Sequence, residues 1–193
     1  MKWQDYLPDD AGKEEFFALF KKKAEELTVK VDRASSSDRG LEMLLQRMES
    51  MDIRRAVASH LTLIDTKNLG KRTCACGIDL SFDMNRDLIE KAEIGISQFD
   101  LGIAESGTLV QDASGLHARL VSMLPPVHLA LISSSATVES LPDALTVIEK
   151  VYRGTLPPFL SFITGPSKTA DIERVLTIGV HGPKELVVLF VDE

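Results

Sequence analysis

A turn near residue 164 combines glycine, hydroxyl groups and a lysine in a pattern that could bind a ligand. Residues 159–163 are apolar enough for a buried strand, which stops at a Thr-Gly-Pro turn. A strand that ends in glycine and hydroxyl groups before a helix is where α/β proteins usually bind ligands. We therefore predict ligand contacts from residues of this turn, namely Thr164, Gly165, Ser167, Lys168, Thr169 and Asp171.

The charges around this turn restrict the kind of ligand. Backbone N–H groups at the start of a helix bind anions, and Lys168 adds a positive charge. However, Asp171 and Glu173 are expected in the first helical turn, where their carboxylates would already satisfy the helix dipole. This arrangement disfavours a strong phosphate site. A small anionic ligand and a turn without any ligand both stay open.

A carboxylate at Glu105 ends another apolar segment and is followed by Ser106, Gly107 and Thr108. Such a carboxylate could act as a general base, a nucleophile or a hydrogen-bond anchor for a ligand. The alternative is a turn whose side chains bond to its own backbone. We predict Glu105 as a catalytic candidate, and the three residues after it as ligand-binding candidates.

The sequence predicts a site residue at one histidine and a core residue at another. His181 lies between glycines and could serve as a proton shuttle, because its reference pKa of about 6.5 is near neutrality. A purely structural role is its alternative. His128 alternates within an apolar segment, which is typical of a core histidine. We predict that His181 joins the 105–108 and 164–169 segments in one site.

Metal and cofactor sites are not indicated. Cys74 and Cys76 are spaced C-x-C, whereas structural zinc and iron–sulfur clusters usually need four ligands. The histidines do not have a metal-ligand spacing. We therefore expect unpaired thiols in a reducing compartment, no metal site, and no cofactor bound by this chain.

The charge and hydropathy of the chain exclude further classes of protein. The net charge is −7, and no cluster of lysine or arginine is interleaved with aromatics, which disfavours nucleic-acid binding. The longest apolar run, 186–191, is far shorter than the ~20 residues of a membrane span. The N-terminal residues lack the apolar core of a signal peptide. We expect a cytoplasmic protein.

Apolar strand-like and helix-like segments alternate along the chain. Residues 127–132 and 185–191 are typical of buried strands, and 143–152 of a helix. Alternation of this kind predicts an α/β fold with a mostly parallel sheet flanked by helices. We expect one domain over residues 1–193, with residues 1–27 as an N-terminal helical extension.

Three blocks of sequence resemble the lactate-utilisation (LUD) domain family. They cover residues 102–110, residues 122–128, and residues 164–173 with 179–183, in the order in which the family has them. The resemblance implies a fold similar to the NagB/RpiA/CoA-transferase group. It also implies a part in bacterial oxidation of L-lactate to pyruvate, beside partner proteins that carry iron–sulfur clusters.

The resemblance supplies no established catalytic residue, so two functions stay open. In the first, the chain is the non-cluster component of a lactate-oxidising system, and its predicted loops shape a site or bind a partner protein. In the second, it is a stand-alone enzyme of acyl-transfer or sugar-phosphate-like chemistry with Glu105 as base or nucleophile. Fold analogy alone supports the second function.

Overall fold

Apolar, β-branched segments form the strands, and amphipathic segments form the helices that cover them. The computed structural model describes residues 3–170, 176–178 and 181–193, with only the backbone for 169–170 and 176–178. The helices are α1 (Glu14–Glu26), α2 (Ser37–Ser50), α3 (Thr66–Ala75), α4 (Arg86–Lys91), α5 (Leu116–Met123) and α6 (Leu141–Tyr152). Short 3-10 helices span Trp3–Tyr6 and Ala104–Ser106.

The strands divide between a central sheet and smaller sheets. In chain order they are β1 (Lys30–Ala34), β2 (Arg55–Ala58), β3 (Asp79–Ser81), β4 (Ile94–Phe99), β5 (Leu101–Ile103), β6 (Thr108–Asp112), β7 (Val127–Ser133), β8 (Thr137–Val138), β9 (Leu160–Ile163), β10 (Lys168–Ala170), β11 (Leu176–Ile178) and β12 (Glu185–Val191).

The central sheet has six strands in the order β1-β12-β7-β4-β2-β3. Every neighbouring pair in it is parallel. Strands β4, β7 and β12 are buried along nearly their whole length, as expected where helices or other elements cover both faces of a parallel sheet. The prediction of an α/β fold with a mostly parallel sheet is confirmed.

A second sheet has the order β8-β5-β6-β9. Its β5–β6 and β6–β9 pairs are antiparallel, and its β5–β8 pair is parallel. The β5–β6 turn contains Glu105 and closes at Gly107, which has a left-handed φ of 62°. Glu105 therefore lies in a turn between two strands.

Helix α1 packs across both sheets. Its buried Phe16, Phe20 and Ala24 share one apolar cluster with Phe190 of β12 and Leu109 of β6. The rings of Phe20 and Phe190 meet edge to face with their centroids 5.1 Å apart. The helix therefore contributes to the core that joins the two sheets.

The segment after the Thr164 turn is extended where the structure describes it, because Lys168–Ala170 is a strand paired antiparallel with Leu176–Ile178. The expected acidic helical turn with Asp171 and Glu173 falls on residues outside the described part of the chain. The β-branched Thr169, Thr177 and Ile178 favour extended backbone over helix. Residues 171–175 lie outside the described part of the chain.

Candidate ligand-binding cleft

The segments around Thr108 and Thr164, predicted to share a site, meet directly. Strand β6 lies beside β9 with Leu109 opposite Ile163, which brings the two threonines together. Their Oγ1 atoms are 2.7 Å apart, and Ser106 Oγ lies 2.8 Å from Thr108 Oγ1. These hydroxyl groups satisfy one another across the two strands.

The other residues of this junction contact the carboxyl end of α1. A Cβ atom on Gly107 would lie 2.7 Å from the backbone nitrogen of Ala24, so only glycine fits there. Lys168 Nζ donates a hydrogen bond to the carbonyl oxygen of Leu27 at 3.2 Å, and a Cβ on Gly165 would lie 3.3 Å from Leu27 Cβ. A cation at a helix C-terminus is stabilised by the helix dipole. The described contacts of these residues are structural, and their ligand contacts stay predictions.

The predicted catalytic residues also have identifiable positions. Glu105 is exposed, and its Oε1 accepts a hydrogen bond from the backbone N–H of Leu141, at the start of α6, at 2.7 Å. His181 is exposed in a turn next to the 164–168 segment, where Ser167 N–H donates to the carbonyl of Pro183 at 3.0 Å. Catalytic roles for Glu105 and His181 stay predictions.

Two members of the predicted ligand set cannot be placed at the level of side chains. Asp171 lies outside the described residues, and only the backbone of Thr169 is described.

A cleft lies away from these turns, at the carboxyl edge of the central sheet. It has a volume of about 740 Å³, within the range of roughly 300–1,000 Å³ typical of small-molecule sites. Ser59 follows β2, Asp100 follows β4, and Ser133 ends β7, so each neighbouring strand supplies a polar residue at its end. Trp3 and Gln111 are also among the lining residues. Ligands of open α/β sheets bind at this edge.

Asp100 is the most perturbed carboxyl group that lines the cleft. Burial raises its pKa to about 6, although a hydrogen bond from the backbone N–H of Asp112 to Oδ2, at 2.8 Å, acts in the opposite direction. Burial alone would also raise the pKa of Asp112, but hydrogen bonds from Ser114 and from the Tyr152 hydroxyl, the latter at 2.7 Å, hold it below its usual value. The two neighbouring carboxyl groups therefore differ in acidity.

Two polar side chains of the cleft have atoms without a hydrogen-bond partner among the described residues. Gln111 donates through Nε2 to the carbonyl oxygen of Gln98 at 2.7 Å, which fixes the amide, while its Oε1 has no partner. The Oγ of Ser59 is likewise unpartnered. Both residues are only 5% exposed. Buried polar atoms are usually hydrogen-bonded, and these two belong to a small group of buried side-chain atoms without a protein partner among the described residues.

The cleft is rich in acceptors and negative charge. Its lining includes the carboxylates of Asp100, Asp112 and Glu193, and none of the described lining residues is a lysine or arginine. The amide oxygen of Gln98, another lining residue, is already used, because it accepts from the N–H groups of Thr62 and Leu63.

Sequence reasoning missed this cleft, although a local signal for it exists. The segments that end in Ser59-His60, Gln98-Phe99-Asp100 and Ser133 each change from apolar to polar at the end of a strand. Strands β2, β4 and β7 are neighbours in the sheet, but they are separated by many residues in the chain. These polar residues can be recognised as one group only when the strand order is known.

The structure gives no indication of a metal centre or a membrane span in the part of the chain that it describes. No group of three or more histidine, cysteine, aspartate or glutamate side chains there is arranged to hold a metal ion. Cys74 and Cys76 are both free and exposed. None of the described helices is long and apolar enough to cross a membrane.

These features define a parallel α/β protein with a polar cleft at the carboxyl edge of its central sheet. The family model of the LUD domain matches residues 11–191, and the chain therefore belongs to the LUD domain family. This membership confirms the family resemblance seen in the sequence.

Curated relatives share part of this sequence. Lactate utilization protein C from Geobacillus sp. (strain WCH70) is 40% identical over 111 residues, which are 56% of this chain and 46% of that protein. The protein of the same name from Bacillus subtilis (strain 168) is 38% identical over 106 residues, or 54% of this chain and 44% of that protein. The chain thus spans about half the length of the curated relatives it matches.

A solved structure supports the fold. The crystal structure of a DUF162 family protein from Deinococcus radiodurans superimposes with a TM-score of 0.67, covering 92% of this chain and 96% of that one. Sequence identity is 17%, so this similarity concerns the fold alone.

Proposed function

We propose that this protein is a non-cluster component of a bacterial L-lactate utilisation system. In this role it works in the cytoplasm beside partner proteins that carry iron–sulfur clusters, and the system oxidises L-lactate to pyruvate. The clusters and the electron transfer belong to the partners.

One observation carries this proposal, namely the 40% identity with a protein named Lactate utilization protein C. Membership of the LUD domain family over residues 11–191 supports it. The cleft at the carboxyl edge of the central sheet offers a place for a small molecule, so the chain could contribute a binding function to such a system.

The experiment is a deletion combined with an affinity purification in the host bacterium. Deletion of the gene should abolish growth on L-lactate but not on glucose, and the wild-type gene should restore it. A tagged chain from lactate-grown cells should co-purify with cysteine-rich proteins that show iron–sulfur absorbance. Normal growth of the deletion strain on lactate, together with no co-purifying cluster protein, would overturn the proposal.

The stand-alone enzyme with Glu105 as base or nucleophile remains the alternative prediction. Glu105 is not among the described residues that line the cleft, and one of its oxygens is engaged at the start of α6. No described contact favours this alternative over the lactate utilisation role.

A further inference from the structure

We propose that two copies of this chain associate through the free edge of β9, so that their β9 strands pair antiparallel and join the two second sheets into one. In this pair Leu160 of each copy lies opposite Phe162 of the other, and the two-fold axis passes through Ser161. The interface goes beyond the role in lactate utilisation and does not depend on it.

The outer side of β9 offers backbone hydrogen-bonding groups to another strand. In the part of the chain that the structure describes, β9 is the last strand of its sheet and pairs only with β6. The carbonyl of Phe159 accepts from the N–H of Ala113 at 3.0 Å, so residues 161 and 163 also face β6, because bonding alternates along an antiparallel pair. The N–H and C=O groups of Leu160 and Phe162 therefore point outward, where a further strand can bind them.

The other edge strands of the two larger sheets are protected against such pairing. Native proteins protect edge strands with charged side chains or by making the strands very short. Strand β1 carries Lys30, Asp32 and Arg33, β3 has three residues including Asp79, and β8 has two residues. Strand β9, in contrast, has no charged residue. The prolines at 157 and 158 precede β9 and leave its own N–H groups in place.

Phe162 is the exposed apolar side chain at the centre of this edge. Its register partner in β6 is Val110, which belongs to the apolar cluster beneath α6, so Phe162 lies on the face of the sheet that α6 covers. Leu160 is on the same face, because side chains two residues apart in a strand share a face. In the proposed pair each Phe162 neighbours a Leu160, and apolar cross-strand neighbours stabilise a sheet.

Helix α6 adds two exposed leucines beside this edge. Leu141 and Leu145 lie on the same stripe of the helix as Tyr152, eleven and seven residues later. The hydroxyl of Tyr152 donates to Asp112 of β6, whose register partner is Leu160 of β9. The stripe therefore faces the β9 side of the sheet, and the two leucines form an apolar border along the free edge.

Symmetry and charge identify the partner strand as that of a second copy. The outward-facing residues 160 and 162 are placed symmetrically about Ser161, so a two-fold rotation makes the edge complementary to itself. Each chain carries a net charge of −7, but no charged residue occurs between Arg153 and Lys168. Two copies can therefore pair their β9 strands without opposing like charges across the strands.

The exposed apolar area indicates how strong this association is. The four large side chains around the edge are between 43% and 63% exposed, namely Leu141, Leu145, Leu156 and Phe162. At about half exposure they contribute roughly 350 Å² per copy, which is under half of the ~800 Å² per partner in a standard interface. With the backbone of the strand added, we expect a dimer with a dissociation constant in the micromolar range.

The first test is sedimentation velocity of the full chain at concentrations from ~1 μM to ~500 μM, which bracket a micromolar dissociation constant. The mass should rise from that of one chain to that of two. The mass of a single chain at every concentration would overturn the proposal.

Phe162→Lys tests the surface. Because Phe162 is exposed in the single chain, the variant should stay folded by circular dichroism, but in the dimer it buries an unpaired charge beside Leu160. Self-association should weaken about a hundredfold or more. Met84→Lys replaces an exposed apolar residue that follows β3 of the central sheet, and should leave self-association unchanged. Equal effects of the two variants would place the interface elsewhere and contradict the proposal.

Cysteine cross-linking tests the register without relying on that variant. In a background with Cys74→Ser and Cys76→Ser, Ser161→Cys places two thiols at the two-fold axis, in a non-hydrogen-bonded pair with Cα atoms ~4.5 Å apart, within the range of a disulfide. Phe162→Cys is the matched control, because its two copies lie diagonally ~7–8 Å apart, beyond that range. Oxidation with diamide should cross-link the first variant and not the second. Equal cross-linking of both, or none in either, would overturn the pairing at Ser161.

A different protein on this edge would give another result. A wild-type chain that stays monomeric, with a Phe162→Lys variant that no longer co-purifies with cluster proteins, would assign the edge to a partner protein and overturn the second copy. Growth on lactate is not a readout of the mass or of the cross-link, so failure of this interface is distinguishable from failure of the lactate utilisation role.

Discussion

At the scale of single residues, His128 shows how burial in the central sheet changes the pKa of a side chain. It is fully buried on β7, and its Nε2 lies 2.6 Å from Ser97 Oγ on β4. The interpretation of a core histidine is confirmed, although Nδ1 has no partner among the described residues. Burial lowers the pKa of His128 to about 4. The residue therefore stays neutral at neutral pH.

This pKa predicts that the protein loses stability in mild acid. The unfolded chain binds a proton on His128 near pH 6.5, and the folded chain only near pH 4. The stability that depends on a neutral His128 is therefore fully present above pH 6.5 and falls as the pH drops towards 4. Between pH 7 and 4.5 the free energy of unfolding should fall by about 2 kcal/mol on account of His128. Urea unfolding at both pH values measures this loss.

The matched variants are His128→Gln and His60→Gln. Glutamine can keep a hydrogen bond to Ser97 but does not titrate, so His128→Gln should lose less stability in acid than the wild type. His60 is exposed, and its variant should follow the wild type. The raised pKa of Asp100 acts in the opposite direction, because it opposes folding as the pH rises towards 6, but it is common to all three proteins. Equal acid sensitivity of His128→Gln and wild type would contradict the prediction.

At the scale of elements, Glu105 links the β5–β6 turn to the first turn of α6. Helix α6 has its own capping box, in which Ser140 and Asp143 exchange hydrogen bonds. Glu105 adds an acceptor for the N–H of Leu141 from outside the helix, and its backbone N–H donates to the carbonyl of Glu139 at 2.9 Å. A carboxylate at a helix N-terminus is stabilised by the exposed N–H groups and the dipole.

We predict that Glu105→Ala lowers the free energy of unfolding by about 1 kcal/mol, as loss of a helix cap does. Glu105→Gln keeps an acceptor and should lose only about 0.5 kcal/mol, the contribution of charge to the dipole interaction. Urea midpoints measure both. Glu139→Ala removes an exposed carboxylate just before the N-cap of α6, is the control and should change little. Three equal midpoints would show that the bond to Leu141 does not stabilise α6.

The same Glu105→Gln variant tests the alternative of a stand-alone enzyme. If a substrate emerges from a thermal-shift screen of anionic metabolites, a catalytic carboxylate requires that turnover be abolished while the variant stays folded. Unchanged turnover would leave Glu105 with its structural role at α6.

At the scale of the whole molecule, α1 connects the two sheets through one apolar cluster. Its carboxyl end fits against the β5–β6 turn because Gly107 has no side chain. One domain over residues 1–193, with an N-terminal helical extension at 1–27, stays a prediction. If the extension unfolds separately from the rest of the domain, unfolding has two steps, and a substitution at Gly107 tests this.

We predict that Gly107→Ala destabilises the whole protein by about 2 kcal/mol or more. The alanine would have to adopt a φ of 62°, and its Cβ would lie 2.7 Å from the backbone of Ala24. Urea unfolding followed by far-UV circular dichroism and Trp3 emission should show a single shifted transition. Gly70→Ala, which adds a Cβ with nothing within 4 Å inside α3, should be neutral or stabilising. An early loss of helix signal with an unmoved main transition would indicate a separable extension.

The sequence alone determined the class of fold and several of its elements. Apolar runs such as 127–132 and 185–191 predict buried strands because a strand covered on both faces needs apolar side chains throughout. The position of His128 in the core follows from the same local pattern. The family blocks are local too, and the match to the LUD domain confirms them.

Only the tertiary structure decided which polar residues share a site. The turn at Thr164 and the turn at Glu105 do meet, but their described contacts connect strands and helices to one another. The cleft instead collects Ser59, Asp100 and Ser133 because β2, β4 and β7 are neighbours in the sheet. Pairing between strands depends on residues far apart in the chain, and no short stretch of sequence specifies it.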